Sequence, residues 1–398
     1  MLAGRTSTSL YVGPYLRPMG IIGLNYVEGD LRSYSHVPIT AWLDFADKHP
    51  GLIRYLKVGA FEKGGPAPLH LAKGVAEMLG VPMYLHVGEL TPEDGLVPTY
   101  DAFRIAQSGD IITHIYNGNI GNILDANGQV LDIVRDAQAR GVIFDIGFGG
   151  YNFAWEIAEK GFEQGLKPDI ISSDLQQFNI GGPVYSLAHV LGFFLHLGMS
   201  ISDVIRCITM APARSLRLAD RAGSLRRGMP ADITVFRVEE GSFDLLDAFQ
   251  SSRTTSRRFV PQMVFKDGRR FECDFERALN ERNWFPIVCE DHVPAQAAQL
   301  SSEQLEFLHA LAASLAEMEW QPSLPAEIDL QMATQLQDAF HDAMAGRSIS
   351  LRDALGAVYD CFIEEPFTVQ IGLFLLRLER SFVLQRIENV SSTFKAVA

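Results

Sequence analysis

Four side chains in this sequence stand where apolar runs end, and their types suit hydrolytic chemistry. Val81-Pro82-Met83-Tyr84-Leu85-His86-Val87-Gly88 places His86 just before a turn, and Asp110-Ile111-Ile112-Thr113-His114-Ile115-Tyr116-Asn117-Gly118 does the same for His114. Lys57 lies near the end of the run 52–58, and Asp174 closes Asp169-Ile170-Ile171-Ser172-Ser173-Asp174. Two imidazoles and a carboxylate are ligands for a zinc-type ion, which in a catalytic site keeps one position for water. Such an ion acidifies its water and polarises a carbonyl, and an aspartate can accept the water's proton. A lysine ammonium has no lone pair to offer. Once carboxylated, however, its carbamate has two oxygens that can bridge two metals.

These runs need a scaffold that brings strand ends together. Helical spacing is present at 40–49, 67–79, 100–107, 130–139, 152–164, 187–197 and 202–210, and the apolar strands 52–58, 81–86, 110–114, 142–147 and 169–174 fall between them. An earlier run, Ser9–Gly13 with a glycine-rich trailing loop to about 28, reads as one more strand. Alternation of this kind makes a parallel sheet covered on both faces. The regular spacing predicts an α/β fold, a partial TIM-like (β/α) barrel, over residues 1–222. In such a barrel the C-terminal ends of the strands hold the chemistry. No G-x-G-x-x-G follows any strand, which argues against a nucleotide-binding sheet.

The rhythm changes at Gly223. Strands at 232–236, 261–266 and 269–273, the last two joined by an Asp267-Gly268 turn, make a small β unit over 223–275. An all-α C-terminal domain follows at 276–398, with helices at 301–317 (capped by Ser301), 328–344, 350–361 and 369–390. The longest of these is strongly apolar and carries no chemical motif.

Composition narrows the function further. The formal net charge of -14, with no basic run, argues against nucleic acid and against an anionic membrane surface. No apolar stretch is long enough to cross a bilayer, and the first residues lack the core of a signal peptide, so a cytoplasmic location is expected. The four cysteines (207, 273, 289 and 361) are widely spaced and read as reduced thiols.

The segments Tyr55-Leu56-Lys57-Val58, Leu85-His86-Val87-Gly88-Glu89, Thr113-His114-Ile115-Tyr116-Asn117-Gly118 and Ser172-Ser173-Asp174-Leu175 occur in that order. Together with Gly223-Ser224-Leu225 and Gly228-Met229-Pro230-Ala231-Asp232-Ile233 they resemble the amidohydrolase superfamily, specifically its dihydroorotase-like, deacetylase-type metallohydrolases, over about residues 8–275. The resemblance implies one or two divalent metals (Zn2+, with Mn2+ or Fe2+ as alternatives) and a carboxylated Lys57. His86 and His114 would then hold the more exposed metal, while Asp174 would be both ligand of the buried metal and general base. Asn117 and Gly118 would meet a small-molecule substrate carrying an amide, cyclic amide or N-acyl bond. Two departures stand out. The family's His-x-His on the first barrel strand is missing, as though the chain began near the third strand, and Phe148 stands where that branch has a histidine. The first departure points to an oligomer or a partner chain that completes the barrel, to a rearranged N-terminus, or to a truncated gene. An inactive scaffold that assembles through its helical tail is the alternative function. Plain structural roles for the same residues are a salt-bridged Lys57, hydrogen-bonded core histidines and an Asp174 that caps the following turn.

Overall fold

The computed structural model describes residues 8–16, 37–59, 66–88, 97–119, 121–176, 179, 182–249, 251–273, 293–322, 330–362, 371–376 and 378–393. The glycine-rich stretch at 17–28, Cys289, the Glu364-Glu365-Pro366 separator and the first residues expected for two tail helices, 328–329 and 369–370, lie outside them. The chain divides into two compact units, 1–280 and 281–398.

The first unit is built on parallel strands. In chain order come α1 (Ile39–Lys48), β1 (Leu56–Gly59), α2 (Ala67–Leu79), β2 (Met83–His86), α3 (Val97–Ile105), β3 (Ile111–Thr113), α4 (Asp132–Ala139), β4 (Ile143–Phe144), α5 (Trp155–Glu163), α6 (Leu187–His196), α7 (Ile201–Ile208) and α8 (Met210–Ser215). The sheet order is β1-β2-β3-β4, parallel throughout, with Gly59 opposite His86 and His86 opposite Thr113. Parallel bridges extend it on both sides. Val12 and Tyr15 pair with Ile53 and Lys57, and Asp145 pairs with Ile170. Six consecutive parallel segments therefore stand side by side. Among the described residues, no pairing joins the first of them to the last.

The strands are short because their ends turn. The sequence predicts a strand over 142–147, but β4 stops at Phe144 and Gly147 adopts φ +46°. The strand expected at 169–174 is reduced to one bridge, although Phe148 and Gly149 still donate to the carbonyls of Ser172 and Ser173 at 3.0 Å. The buried faces are apolar. Leu56, Val58, Leu85, Ile112 and Phe144 all have no exposed surface, and α2 packs Leu69, Ala72, Val75 and Ala76 beside them. Gly80, at φ +66°, ends that helix as a left-handed cap.

The small β unit is larger than its sequence suggests. The strands are β5 (Ile233–Leu246), β6 (Ser252–Lys266) and β7 (Arg269–Glu272), an antiparallel sheet in the order β5-β6-β7. The stretch 237–260 lacks apolar alternation, so no strand is expected there. Cross-strand ion pairing holds it instead, as where Glu239 lies opposite Arg258 with Nε and Oε2 2.6 Å apart. Bulges at Val235/Phe236 and Glu240/Phe243 bend the long hairpin, whose strand β6 packs against α6.

The second unit contains a 3-10 turn (Ala295–Gln299), α9 (Ser302–Ala316), α10 (Leu330–Met344), α11 (Leu351–Asp360), α12 (Ile371–Leu375) and α13 (Arg380–Thr393). Ser301 caps α9 in a reciprocal pair with Gln304. The single helix expected over 369–390 is broken between Leu375 and Arg380. A distant side chain takes up a backbone group freed by the break: Trp320 Nε1 donates to the Leu378 carbonyl at 3.2 Å. Arg380 in turn donates to the Met318 carbonyl at 2.6 Å. Among the described residues, no helix is long and apolar enough to cross a membrane.

Candidate functional site

The register of the parallel sheet fixes which side chains meet. Because Gly59, His86 and Thr113 are in register, the ends of β1, β2 and β3 lie level. The imidazoles of His86 and His114 meet edge to face, with centroids 4.1 Å apart and planes at 64°. His114 reaches this position through a left-handed backbone, φ 66°, and it is 2% exposed. Its Nδ1 lies 2.6 Å from the Gly147 carbonyl. A Cβ on Gly147 would fall 2.7 Å from that imidazole, so glycine permits the contact. A carbonyl at Nδ1 selects the tautomer whose Nε2 bears the lone pair, as metal-binding histidines require. Burial and then the Lys57 charge push the His114 pKa well below the ordinary imidazole value, which keeps the ring neutral.

Lys57 stands with its Nζ 4.5 Å from the centre of the Tyr84 ring. Burial pushes its amine down to about 8, while Asp174 and Asp145 act in the opposite direction. The neutral amine is the form that reacts with carbon dioxide, and a lysine lowered to about 8 supplies far more of it near neutral pH than an ordinary one. Asp174 also sits in a left-handed conformation, φ 44°. Gln176 Nε2 donates to its Oδ2 at 3.3 Å and Asn179 donates to its carbonyl oxygen at 2.9 Å. Burial raises the Asp174 pKa, and Lys57 lowers it in part.

Asp145 is not among the site residues expected from the sequence. It is fully buried at the end of β4, and its Oδ2 accepts hydrogen bonds from the hydroxyls of Tyr84, Thr113 (2.7 Å) and Ser172 (2.8 Å). Oδ1 is buried with no hydrogen-bond partner among the described residues. One carboxylate thus ties together β2, β3 and the segment before Asp174. Its pKa is raised by burial, against the pull of those hydroxyls and of Lys57. In sequence, an aspartate inside an apolar run marks such a group, because only a partnered carboxylate tolerates full burial.

Other expectations are modified. Asn117 has no exposed surface, and its amide is engaged within its own turn: Nδ2 donates to the His114 carbonyl at 2.8 Å and Oδ1 accepts from the Asn119 amide at 3.1 Å. Its side chain therefore sets the loop that carries His114, while Gly118 follows at the loop's edge. Phe148, where the resemblance led to an expected histidine, lies 4.9 Å from Phe153 in a stacked pair and 4.7 Å from Phe193. That position belongs to the aromatic core. The expected metal set is also looser than the sequence suggests. Among the described residues, no three His, Cys, Asp or Glu side chains are grouped so as to hold an ion. Asp174, held in its own turn by Gln176, does not complete a trio with the histidines. The donor chemistry nonetheless fits one divalent ion held by His86, His114 and a carboxylated Lys57, since the imidazoles already meet edge to face and burial brings the amine down to about 8.

Residues 154–271 match the family described as amidohydrolase. Over that stretch the chain resembles an amidohydrolase-family domain. A deacetylase of Agrobacterium fabrum is 30% identical over 252 residues, covering 62% of this chain and 60% of the relative. A deacetylase of Enterococcus faecalis is 30% identical over 211 residues, covering 52% and 56%. The chain therefore spans about three fifths of the length of the curated relatives it matches. Among solved structures, an adenine deaminase superposes with a TM-score of 0.63 at 26% identity, covering 68% of this chain and 73% of that one. A dihydroorotase gives 0.60 at 28% identity, covering 67% and 70%. Of the four strand-end residues, Asp174 lies within the matched segment 154–271.

Proposed function

We propose that this amidohydrolase domain hydrolyses an amide, cyclic amide or N-acyl bond of a small molecule at the strand-end cluster. The observation that carries the reading is the His86–His114 pair, packed edge to face with the His114 Nδ1 already bound to a carbonyl and a Lys57 amine lowered to about 8 beside it. Lys57 (as its carbamate), His86 and His114 would hold a divalent ion, zinc or alternatively manganese or iron, with Asp174 next to it. When bound, such an ion polarises the substrate carbonyl and acidifies water.

The chain's own residues divide the remaining work. His114 is kept neutral and in one tautomer by burial and the Gly147 carbonyl. Asn117 fixes the loop that carries His114, which leaves the backbone at Gly118 to border the substrate. Asp174 acts as general base. Its carboxylate takes a proton from the attacking water, and the same proton then passes to the leaving nitrogen as the carbon–nitrogen bond breaks. A carboxylate raised by burial is better matched to that exchange near neutral pH than a solvated one.

The test uses the full chain, stripped of metal and then incubated with zinc and bicarbonate, against a panel of N-acetyl amino acids and cyclic amides. Expected are bound zinc, a carbon dioxide adduct on Lys57 by mass spectrometry, and hydrolysis that Asp174→Asn abolishes. Absence of both zinc binding and hydrolysis overturns the reading.

A further inference from the structure

The long β-hairpin sends its turn to the same end of the sheet as the site. Asp247, 1% exposed, organises that turn: its Oδ1 accepts from the amides of Phe249 and Ser251, each at 2.8 Å, while its own amide donates to the Ser251 carbonyl at 2.9 Å. The other carboxylate oxygen accepts from the Trp155 amide at 2.9 Å, at the first turn of α5. Ala248 donates to the Phe153 carbonyl at 3.1 Å, and the Trp155 indole donates to the Leu245 carbonyl at 3.0 Å. Arg253 and Glu159 add a two-pronged ion pair at 2.6 and 2.9 Å. A turn so fastened is a rigid platform.

Phe249 stands on that platform, 43% exposed. A single exposed aromatic is ordinary on a protein surface, but the position of this one is not. A Cβ built on Gly118 would fall 2.8 Å from the Phe249 ring and 2.9 Å from the Ala154 Cβ. The ring therefore rests on the loop that follows His114, one residue beyond the Asn117 amide that fixes it, and the missing side chain at 118 lets it come that close. Ala154 in turn belongs to the loop after β4 and donates to the Tyr116 carbonyl at 2.8 Å. Three segments thus converge beneath one half-exposed ring.

We propose that Phe249 is a specificity-determining residue, an apolar wall that receives the group next to the scissile bond and favours substrates carrying an aromatic or branched apolar substituent there. The identity of the reaction rests on the hydrolase reading above; the wall and its preference for apolar groups rest on the hairpin. An aromatic face offers area and stacking at little conformational loss, and a rigid support keeps that advantage on binding. Apolar pockets discriminate substrates by factors of about 10 to 200 per group, which sets the expected effect.

The experiment compares N-acetylphenylalanine with N-acetylglycine on the full chain loaded with zinc and bicarbonate. The variants are Phe249→Ala and Phe249→Leu, with thermal melting as the control for folding. In protein labelled with 13C at phenylalanine, the resonance absent from Phe249→Leu identifies the ring. Expected are a shift of that resonance with N-acetylphenylalanine and none with N-acetylglycine. Phe249→Ala should raise KM for the aromatic compound about tenfold and shift KM for N-acetylglycine far less, and Phe249→Leu should recover part of the loss. A ring shift without turnover would sustain the wall and overturn the hydrolase reading. Turnover with KM ratios indifferent to Phe249 would overturn the wall and sustain the hydrolase reading. No ring shift with either compound overturns the wall.

Discussion

The two units bury polar groups on opposite terms. In the helical unit, Arg386 is 5% exposed and donates to the Cys361 carbonyl at 3.0 Å, with its guanidinium 4.8 Å from the Phe382 ring centre. Gln337 accepts from the Gly372 amide at 3.1 Å, and Trp320 bonds to the broken end of α12. Each of these groups closes a gap in the backbone. In the barrel-like unit, Asp145 has three donors on one oxygen and, among the described residues, none on the other, and Lys57 sits in low dielectric with carboxylates that hold its proton only in part. Buried polar groups normally find partners. Where one unit satisfies them and the other leaves charge uncompensated, the first is built for persistence and the second for chemistry.

That contrast can be broken by substitution. The largest effect is expected from Lys57→Met, which should lower hydrolysis by about a thousandfold or more, because it removes a proposed metal ligand, without destabilising the fold at pH 7. The pH dependence has a definite sign. The unfolded chain keeps the Lys57 proton up to its ordinary pKa, whereas the native chain releases it near 8. In buffer free of carbon dioxide, native stability relative to Lys57→Met should therefore rise between about pH 8 and 10, by about 1–2 kcal/mol after allowance for solvent screening. Denaturant melts at several pH values read this directly, and a flat difference would remove the evidence for a buried amine.

In the helical unit, Phe307→Ala should lower stability by about 3–5 kcal/mol while sparing hydrolysis, since Phe307 is fully buried 5.3 Å from Phe340. Loss of activity at equal folded fraction would erase the division between the units. Asp145→Leu leaves three hydroxyls without an acceptor and should cost about 3 kcal/mol, whereas Asp145→Asn should cost about 1 kcal/mol. Equal losses would show that the carboxylate's shape, and not its hydrogen bonding, matters. The smallest effect, about 1 kcal/mol, is expected for Ser301→Ala at the cap of α9, measurable by chemical denaturation.

Much of the element order was legible in the sequence because apolar period and stop signals agree. The helix expected at 67–79 spans those residues, with its left-handed Gly80 cap, and Ser301 caps the helix anticipated after it. Legibility failed where long-range forces replace local pattern. The hairpin arms between 237 and 260 are held by opposed charges such as Glu239 and Arg258, which alternation does not register. The 369–390 stretch is apolar enough to suggest one helix, and the break becomes intelligible only when the distant Trp320 takes up the Leu378 carbonyl. At the site, residue type pointed to Lys57, His86, His114 and Asp174. Asp145 was hidden because its role depends on three hydroxyls from other strands, and Asn117 was expected at the substrate although its amide serves its own turn.

The left-handed backbone at His114 and Asp174 has a consequence for evolution in the laboratory. For side chains other than glycine that conformation is unfavourable by roughly 1–2 kcal/mol, with aspartate better tolerated than histidine. A library screened only for solubility or heat resistance should enrich glycine and asparagine at 114 first, and any screen that also demands turnover should restore histidine. Read side by side, the two enrichment profiles would show how much folding advantage this chain forgoes to keep an imidazole there.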